Sequence, residues 1–203
     1  MTAPSPHESL PAWRAGPEPD RGRLRPVATD EIAAARVIRS FAFIDLSGFT
    51  NFVDCNGDQA ALRELSLLRS TIRDVAARHA VRVDKWLGDG AMLVGVEPEP
   101  LVSAVVWAAE DHLRRGALPL RAGLASGPVI VCDGDDYVGR AVNLAARLCD
   151  LASPGQVLAA TSDDLRLPAS VVVTGRAAAT VKGFSEPIAV QVVRPTHVEV
   201  APR

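Results

Sequence analysis

The hydrophobic pattern of the chain starts with an apolar run, Phe41–Ile44, which has no polar side and is typical of a central strand covered on both faces. Later stretches that alternate, or that are short and apolar, predict the other strands. We expect strands at residues 36–45, 81–87, 91–96, 118–126, 129–132, 157–160, 171–174, 177–181 and 188–193. Gly88-Asp89-Gly90 joins the second and third, because Asp-Gly is a strong hairpin signal.

Apolar positions at helical spacing predict three longer helices, at residues 56–79, 98–115 and 139–151. Shorter helical segments are expected at residues 30–37 and 162–165. The helix at 139–151 is apolar around most of its circumference, with one narrow polar stripe formed by Arg140, Asn143, Arg147 and Asp150. Because unpaired buried polar groups are costly, this stripe should face a cleft or a subunit interface. A purely structural set of salt bridges would also explain it.

The order of these elements, β-α-β-β-α-β with additions after it, predicts an α+β fold: a ferredoxin-like palm with additional C-terminal αβ elements. We expect the folded domain at residues 39–194, with a short tail at 195–203. Residues 1–38 are expected to be a flexible leader, because their N-terminal part is rich in proline and charge and contains only one large aromatic residue, Trp13. The order of elements alone carries no function.

Composition narrows the class of protein. The 203 residues are 48% hydrophobic, which is enough for one domain with a real core. The net charge is −2, with both signs interspersed, so nucleic acid and anionic membrane are not expected partners. The longest apolar run, Leu101–Ala109, is far shorter than the roughly 20 residues of a membrane span.

Cysteine and histidine usage adds to this picture. Three cysteines without a Cys-x-x-Cys pair fit a reducing compartment, and we expect a soluble, cytoplasmic protein. The histidines lack ligand spacing, which weighs against a His-ligated zinc site, and we expect them at the surface. They are His7, His79, His112 and His197.

The end of the first strand carries the first candidate chemistry. Asp45 follows the apolar run, where an ionised carboxylate is costly unless something such as a bound cation compensates it. Gly48, Phe49 and Thr50 can turn backbone N–H groups outward at a helix start, which makes them candidate phosphate-binding residues. A metal-nucleotide would use both features. Asp45 could instead be only a helix cap, and Asp89 only a turn residue.

Three motifs, in order, resemble the catalytic domain of class III nucleotidyl cyclases over about residues 39–193. They are FAFIDLSGFT at Phe41–Thr50, VDKWLGDGAM at Val83–Met92 and DYVGRAVNLAARL at Asp136–Leu148, supported by VKG at Val181–Gly183. The resemblance implies an adenylate cyclase, in which the 3′-hydroxyl of ATP attacks the α-phosphorus to give 3′,5′-cyclic AMP and pyrophosphate. It also implies two Mg²⁺ or Mn²⁺ ions per site, held by Asp45, Asp89 and the backbone carbonyl of Leu46.

The same resemblance implies roles for residues elsewhere in the chain. Lys85 and Asp136 match the base-reading pair: adenine offers an acceptor at N1 and a donor at its 6-amino group, and guanine reverses both. Asn143 would orient the ribose, and Arg147 would bind charge that develops on the α-phosphoryl group. Lys182 corresponds to the residue that binds the terminal phosphates.

In this family the metal carboxylates and the other site residues come from different subunits, so the resemblance implies a homodimer with two composite sites at its interface. Only residues 128–135 separate Gly127 from Asp136, which resembles the short-armed subgroup. The alternatives are a guanylate cyclase and a catalytically silent module that binds nucleotide or a partner. Diguanylate cyclases carry a GG(D/E)EF turn, whereas this chain has LGDGAM.

Overall fold

The computed structural model describes residues 36–115, 118–132 and 136–196. The strands are β1 Val37–Leu46, β2 Arg82–Leu87, β3 Gly90–Gly95, β4 Leu120–Cys132, β5 Asp136–Val138, β6 Val157–Ala160, β7 Val171–Ala179 and β8 Ile188–Pro195. The helices are α1 Phe49–Asn56, α2 Asp58–Arg78, α3 Pro98–Arg114 and α4 Arg140–Leu151. The leader through residue 35 and the tail from residue 197 lie outside the described ranges, and β1 begins inside the segment predicted as leader.

The strands form one mixed sheet with the order β2-β3-β1-β4-β6-β8-β7, and β5 pairs with the end of β4. The first four strands have the ferredoxin-like arrangement, with β1 antiparallel to both β3 and β4. The later strands extend the same sheet through the parallel pairing of β4 with β6. The predicted α+β class, with its C-terminal additions, is therefore confirmed.

Both faces of the sheet are covered, which explains why the sequence of β1 has no polar side. Ala42 and Ile44 belong to one core cluster, which they share with residues of α2 and α3. Phe41 belongs to a second cluster, together with Ala145 and Leu148 of α4. Alternate residues of a strand point to opposite faces, so β1 contributes to both clusters. Among the described residues, no helix combines the length and apolar character that crossing a bilayer requires.

The three long helices are confirmed to within about two residues, but some strand predictions were wrong. The chain does not break at Gly127-Pro128, because β4 continues through both residues. Pro128 lies between the part of β4 that pairs with β6 and the part that pairs with β5, where a residue without an N–H is tolerated. Residues 171–179 likewise form one strand with a register shift between Val173 and Gly175.

The histidine prediction was also wrong at one position. His112 of α3 is fully buried, and neither of its ring nitrogens has a hydrogen-bond partner within the described part of the chain. His79 is partly buried, and the other two histidines lie outside the described ranges. The three cysteines are all free, with Cys55 exposed and Cys149 buried.

Candidate functional site

The end of β1 and the β2–β3 turn place Asp45 and Asp89 at neighbouring backbone positions, close enough for their charges to interact. Asp45 is paired with Gly90 across the β1–β3 ladder, and the N–H of Leu46 donates to the carbonyl of Asp89 at 3.2 Å. A Cβ at Gly90 would lie 2.6 Å from the carbonyl oxygen of Ile44, so the close approach of the two strands requires glycine there. The packing of the β2–β3 hairpin on β1 therefore determines the position of Asp89 relative to Asp45.

Asp45 has a direct partner that none of the sequence motifs contains. Arg121 of β4 lies opposite Asp45 in the β1–β4 register, and its Nε and Nη2 donate to Oδ2 of Asp45 at 2.9 and 2.6 Å. An arginine between Leu120 and Ala122 in an apolar strand was a detectable signal, but its partner depends on register. Burial raises the pKa of Asp45, hydrogen bonding from Arg121 opposes this, and the charge of Asp89 adds to the increase.

The donors at this position suit a hard divalent cation. Asp45 and Asp89 can supply carboxylate oxygens. Burial is the main cause of the raised pKa of Asp45, and repulsion by the like charge of Asp89 adds to it. Within the described ranges no three His, Cys, Asp or Glu side chains cluster as a complete metal site. Phosphate and water oxygens would have to complete the shell, which is how Mg²⁺ is usually bound with nucleotides. The side chain of Leu46 is apolar and buried, so only its backbone carbonyl could serve as a metal ligand.

Lys85 and Asp136 meet, although they are far apart in the sequence. Nζ of Lys85 on β2 contacts Oδ1 of Asp136 at the start of β5, and both side chains are about half exposed. A β-bulge lies between Val83 and Lys85. The structure thus brings together an ammonium and a carboxylate at the position where the resemblance implies base recognition.

Three residues of the α4 polar stripe, Arg140, Asn143 and Arg147, line one cleft, and the fourth, Asp150, lines another. Asn143 and Arg147 are both exposed one turn apart, and with Lys182 they line an open cleft of about 540 Å³. Nη1 of Arg147 also donates to Oδ2 of Asp150 at 3.2 Å. The guanidinium of Arg140 lies 4.5 Å from the centre of the Phe184 ring, on the wall of the same cleft. An amide and several cations facing open space can bind an anionic ligand such as a phosphate.

Asp45 lines a different, smaller cleft of about 170 Å³, together with Cys149 and Asp150. Ala146 borders both clefts, so α4 separates them. Neither Asn143 nor Arg147 lines the Asp45 cleft. Among the described residues of one chain, Asp45 thus lines one cleft, and Asn143 and Arg147 line another.

The Gly48-Phe49-Thr50 segment opens a helix, as predicted. Gly48 has a φ of 81° and immediately precedes α1, and Thr50 is exposed. Phe49 is partly buried against the core cluster shared with α2 and α3. These three residues do not line either of the two clefts described above. Phosphate binding by this segment remains a prediction.

No protein-family profile matches the chain. Its sequence is 37% identical over 156 residues to an uncharacterised protein of Mycobacterium tuberculosis, covering 76% of this chain and 41% of that protein. It is 38% identical over 126 residues to a pH-sensitive adenylate cyclase of Mycobacterium tuberculosis, covering 60% of this chain and 30% of the relative. The chain thus spans less than half of the length of these relatives.

Solved structures with a similar fold include both kinds of cyclase. The adenylyl cyclase CyaB from P. aeruginosa has a TM-score of 0.64 and 23% identity, covering 80% of this chain and 96% of CyaB. The guanylate cyclase domain of RhGC from Catenaria anguillulae, solved in complex with GTP, has a TM-score of 0.66 and 21% identity, covering 78% and 97%. These similarities establish the fold, and the fold does not separate the two nucleotides.

Proposed function

We propose that this protein is an adenylate cyclase that converts ATP to 3′,5′-cyclic AMP and pyrophosphate. The chain has the fold of the class III nucleotidyl cyclase catalytic domains, and adenylate cyclases are among its sequence relatives. The observation that carries the proposal is the pair of acidic residues, Asp45 and Asp89, at neighbouring backbone positions where β1 ends and the β2–β3 turn packs on it. Arg121 contacts only Oδ2 of Asp45, and a divalent cation would use the remaining carboxylate oxygens of Asp45 and Asp89.

In the proposed reaction Asp45 and Asp89 would hold two Mg²⁺ or Mn²⁺ ions, whose charge would favour ionisation of the 3′-hydroxyl and neutralise the triphosphate. Asn143 orients the ribose for in-line attack on the α-phosphorus. Arg147 exchanges its contact with Asp150 for the charge that develops on the α-phosphoryl group. Lys182 binds the terminal phosphates that leave as pyrophosphate.

The two separate clefts support a homodimer in which each active site takes residues from both chains. Within one chain Asp45 lines one cleft, and Asn143 and Arg147 line another across α4. A two-fold axis would bring the Asp45 cleft of one chain against the α4 stripe of its partner. A single chain would then be inactive, and a dimer would contain two equivalent sites.

The direct test is to incubate purified protein with ATP or GTP and Mn²⁺ and to identify the product by chromatography and mass spectrometry. We expect cyclic AMP, and chelation of the metal by EDTA should stop its formation. Asp45→Asn and Asp89→Asn should each reduce the rate at least about 100-fold, because metal-ion stabilisation is worth several kcal/mol. Asp163→Asn is the matched control, since Asp163 is exposed and lies in neither cleft.

Absence of any cyclic nucleotide from either substrate, in a folded dimer with Mn²⁺ present, would refute the proposal. It would favour the silent module, which would still bind nucleotide without turnover. Equal loss of activity in Asp163→Asn would show that the effect of the other two variants is not specific to the site.

The second candidate is a guanylate cyclase, favoured by the guanylate cyclase structures that share the fold. The contact between Lys85 and Asp136 argues for ATP, because a donor and an acceptor held together complement N1 and the 6-amino group of adenine. Guanine would place its N1–H donor against the donor Lys85 and its O6 acceptor against the acceptor Asp136. The double variant Lys85→Glu with Asp136→Asn reverses the polarity, and its ratio of kcat/KM for ATP to that for GTP should fall at least about tenfold. An unchanged ratio would exclude this pair from base recognition.

A further inference from the structure

The β-bulge in β2 puts two cationic side chains on the same face of the sheet. Residues three apart in a regular strand point to opposite faces, but the pairing of β2 with β3 shifts between Val83 and Lys85. As a result Arg82 pairs with Val94, and Lys85 pairs with Met92. Both of these β3 residues belong to the core cluster that contains residues of α4. Arg82 and Lys85 therefore lie on the face of the sheet that α4 covers.

Asp84 is the extra residue of the bulge, and it is paired with Arg82. The side chain of Asp84 is only 1% exposed, and its Oδ1 contacts Nη2 of Arg82, whose own side chain is 49% exposed. The other carboxylate oxygen, Oδ2, has no hydrogen-bond partner within the described ranges. Because a buried carboxylate is costly without a cation, this ion pair fixes the direction in which the Arg82 side chain leaves the strand.

Arg82 reaches from β2 to β5. Its Cζ lies 5.9 Å from the centre of the Tyr137 ring, within the range of a cation–π contact. The ring of Tyr137 in turn packs edge-on against Phe41 of β1, with the ring centres 5.2 Å apart. Tyr137 directly follows Asp136 in the chain. The strands β2 and β5 therefore meet at a second point, next to the contact between Lys85 and Asp136.

We propose that Arg82 and Tyr137 are positioning residues for base recognition: their contact holds β5 against β2 and so fixes the spacing of the base-reading pair. The inference rests on the proposed function and deepens it. When adenine binds, Lys85 and Asp136 exchange their direct contact for hydrogen bonds to the base. The contact between Arg82 and Tyr137 involves neither of these side chains, so it persists and keeps the spacing that fits adenine. Displacements of about 1 Å are enough to impair such recognition.

The test measures dissociation constants by isothermal titration calorimetry, on the full chain with Mn²⁺, for 3′-deoxy-ATP and 3′-deoxy-GTP, which lack the attacking hydroxyl. Tyr137→Leu removes the ring face but keeps an apolar side chain against Phe41. Its preference for 3′-deoxy-ATP over 3′-deoxy-GTP should fall at least about fivefold. Tyr137→Phe keeps the ring face and should retain the parental preference.

Pyrophosphate separates a loss of base positioning from general damage to the site. It has no base, so its dissociation constant should be the same in Tyr137→Leu as in the parent. Arg73→Met is the matched control, because the Cζ of Arg73 lies 5.4 Å from the centre of the Trp86 ring. This change removes a cation–π contact with the opposite face of β2, without touching β5, and should leave the nucleotide preference at its parental value.

A Tyr137→Leu protein with the parental nucleotide preference would overturn the inference. So would a loss of pyrophosphate affinity by the same factor as the loss of 3′-deoxy-ATP affinity, since the residue would then support the whole site. If Tyr137→Leu does not fold, the double variant Arg82→Gln with Asp84→Asn removes the cation and leaves no unpaired buried charge. An unchanged preference in that protein would overturn the inference in the same way.

The outcome is separable from that of the proposed function. A parent protein that forms cyclic AMP, with the nucleotide preference unchanged in Tyr137→Leu, would leave the cyclase assignment standing and refute the role of Arg82 and Tyr137. A parent that forms no cyclic nucleotide, but whose preference for 3′-deoxy-ATP falls in Tyr137→Leu, would do the reverse. A parent that binds the two nucleotides equally, or binds neither, counts against both the inference and the proposed specificity for ATP.

Discussion

At the scale of single residues, His112 shows how burial changes acid sensitivity. Burial, with a further contribution from the charge of Arg115, lowers the pKa of His112 to about 4, and Asp111 opposes the shift only in part. The unfolded chain binds the same proton with a pKa near 6.5. The unfolded state therefore takes up this proton first as the pH falls, and the folded state loses stability between about pH 6.5 and pH 4.

We expect His112→Leu to remove this component of the acid sensitivity. Leucine has no proton to bind and leaves no nitrogen without a partner. Between pH 7 and pH 4.5 the free energy of unfolding of the parent should fall by about 2 kcal/mol more than that of the variant. Urea denaturation at both pH values measures the difference. Equal losses in the two proteins would mean that His112 is not the titrating group.

The candidate site residues named from the sequence lie in motifs, whereas a contact defined by strand register was missed. Asp45, Asp89 and Lys85 stand in short segments whose residue types suggest their chemistry. Arg121 acquires its role only because β4 pairs with β1 in a register that places it opposite Asp45. A hydrophobic pattern gives the faces of a strand but not its cross-strand neighbours, so this contact was not predictable.

At the scale of elements, the position of α4 depends on one glycine of β4. A Cβ at Gly123 would lie 2.2 Å from both the carbonyl oxygen of Ala145 and the backbone nitrogen of Cys149. The helix therefore rests directly on the strand, with no room for any side chain between them. Because α4 carries Asn143 and Arg147, this packing also sets the wall of the cleft they line.

Gly123→Ala should push α4 away from the sheet. We expect the variant to lose at least about 2 kcal/mol of stability, as overpacked cores do, and to lose the proposed cyclase activity as Asn143 and Arg147 shift. Gly127→Ala, on the same strand, is the matched control, because its Cβ would meet Ala141 at an ordinary 3.6 Å. Thermal unfolding and product formation report on the two effects. A Gly123→Ala protein as stable and active as the parent would contradict the packing argument.

Elements with a regular spacing of apolar residues were predictable from the sequence, and elements that depend on strand pairing were not. The long helices have regular apolar spacing, and each ends close to its predicted residue. β5 has only three residues, too few for an alternation to be visible, and it exists because it pairs with the end of β4. The predicted breaks in β4 and β7 followed local glycine and proline signals, which tertiary pairing overrides.

At the scale of the whole molecule, the separation of the two clefts has a consequence for activity. The composite-site proposal assigns Asp45 and Asn143 of one chain to different active sites. Chains that carry Asp45→Ala would then lose one half of each site, and chains that carry Asn143→Ala would lose the other half. Each homodimer should be inactive, because both of its sites contain one defective half.

Mixing the two variants should restore activity. In a mixed dimer one site collects both substitutions, and the other combines an intact Asp45 with an intact Asn143 from the partner. With random reassortment, half of the dimers are mixed and each has one working site, so about a quarter of the parental cyclic AMP production is expected. Mixing Asp45→Ala with Asp89→Ala chains is the control, since both changes fall in the same half and no working site can form. Failure of the first mixture to exceed this control, with exchange between dimers verified, would mean that each chain builds its own site.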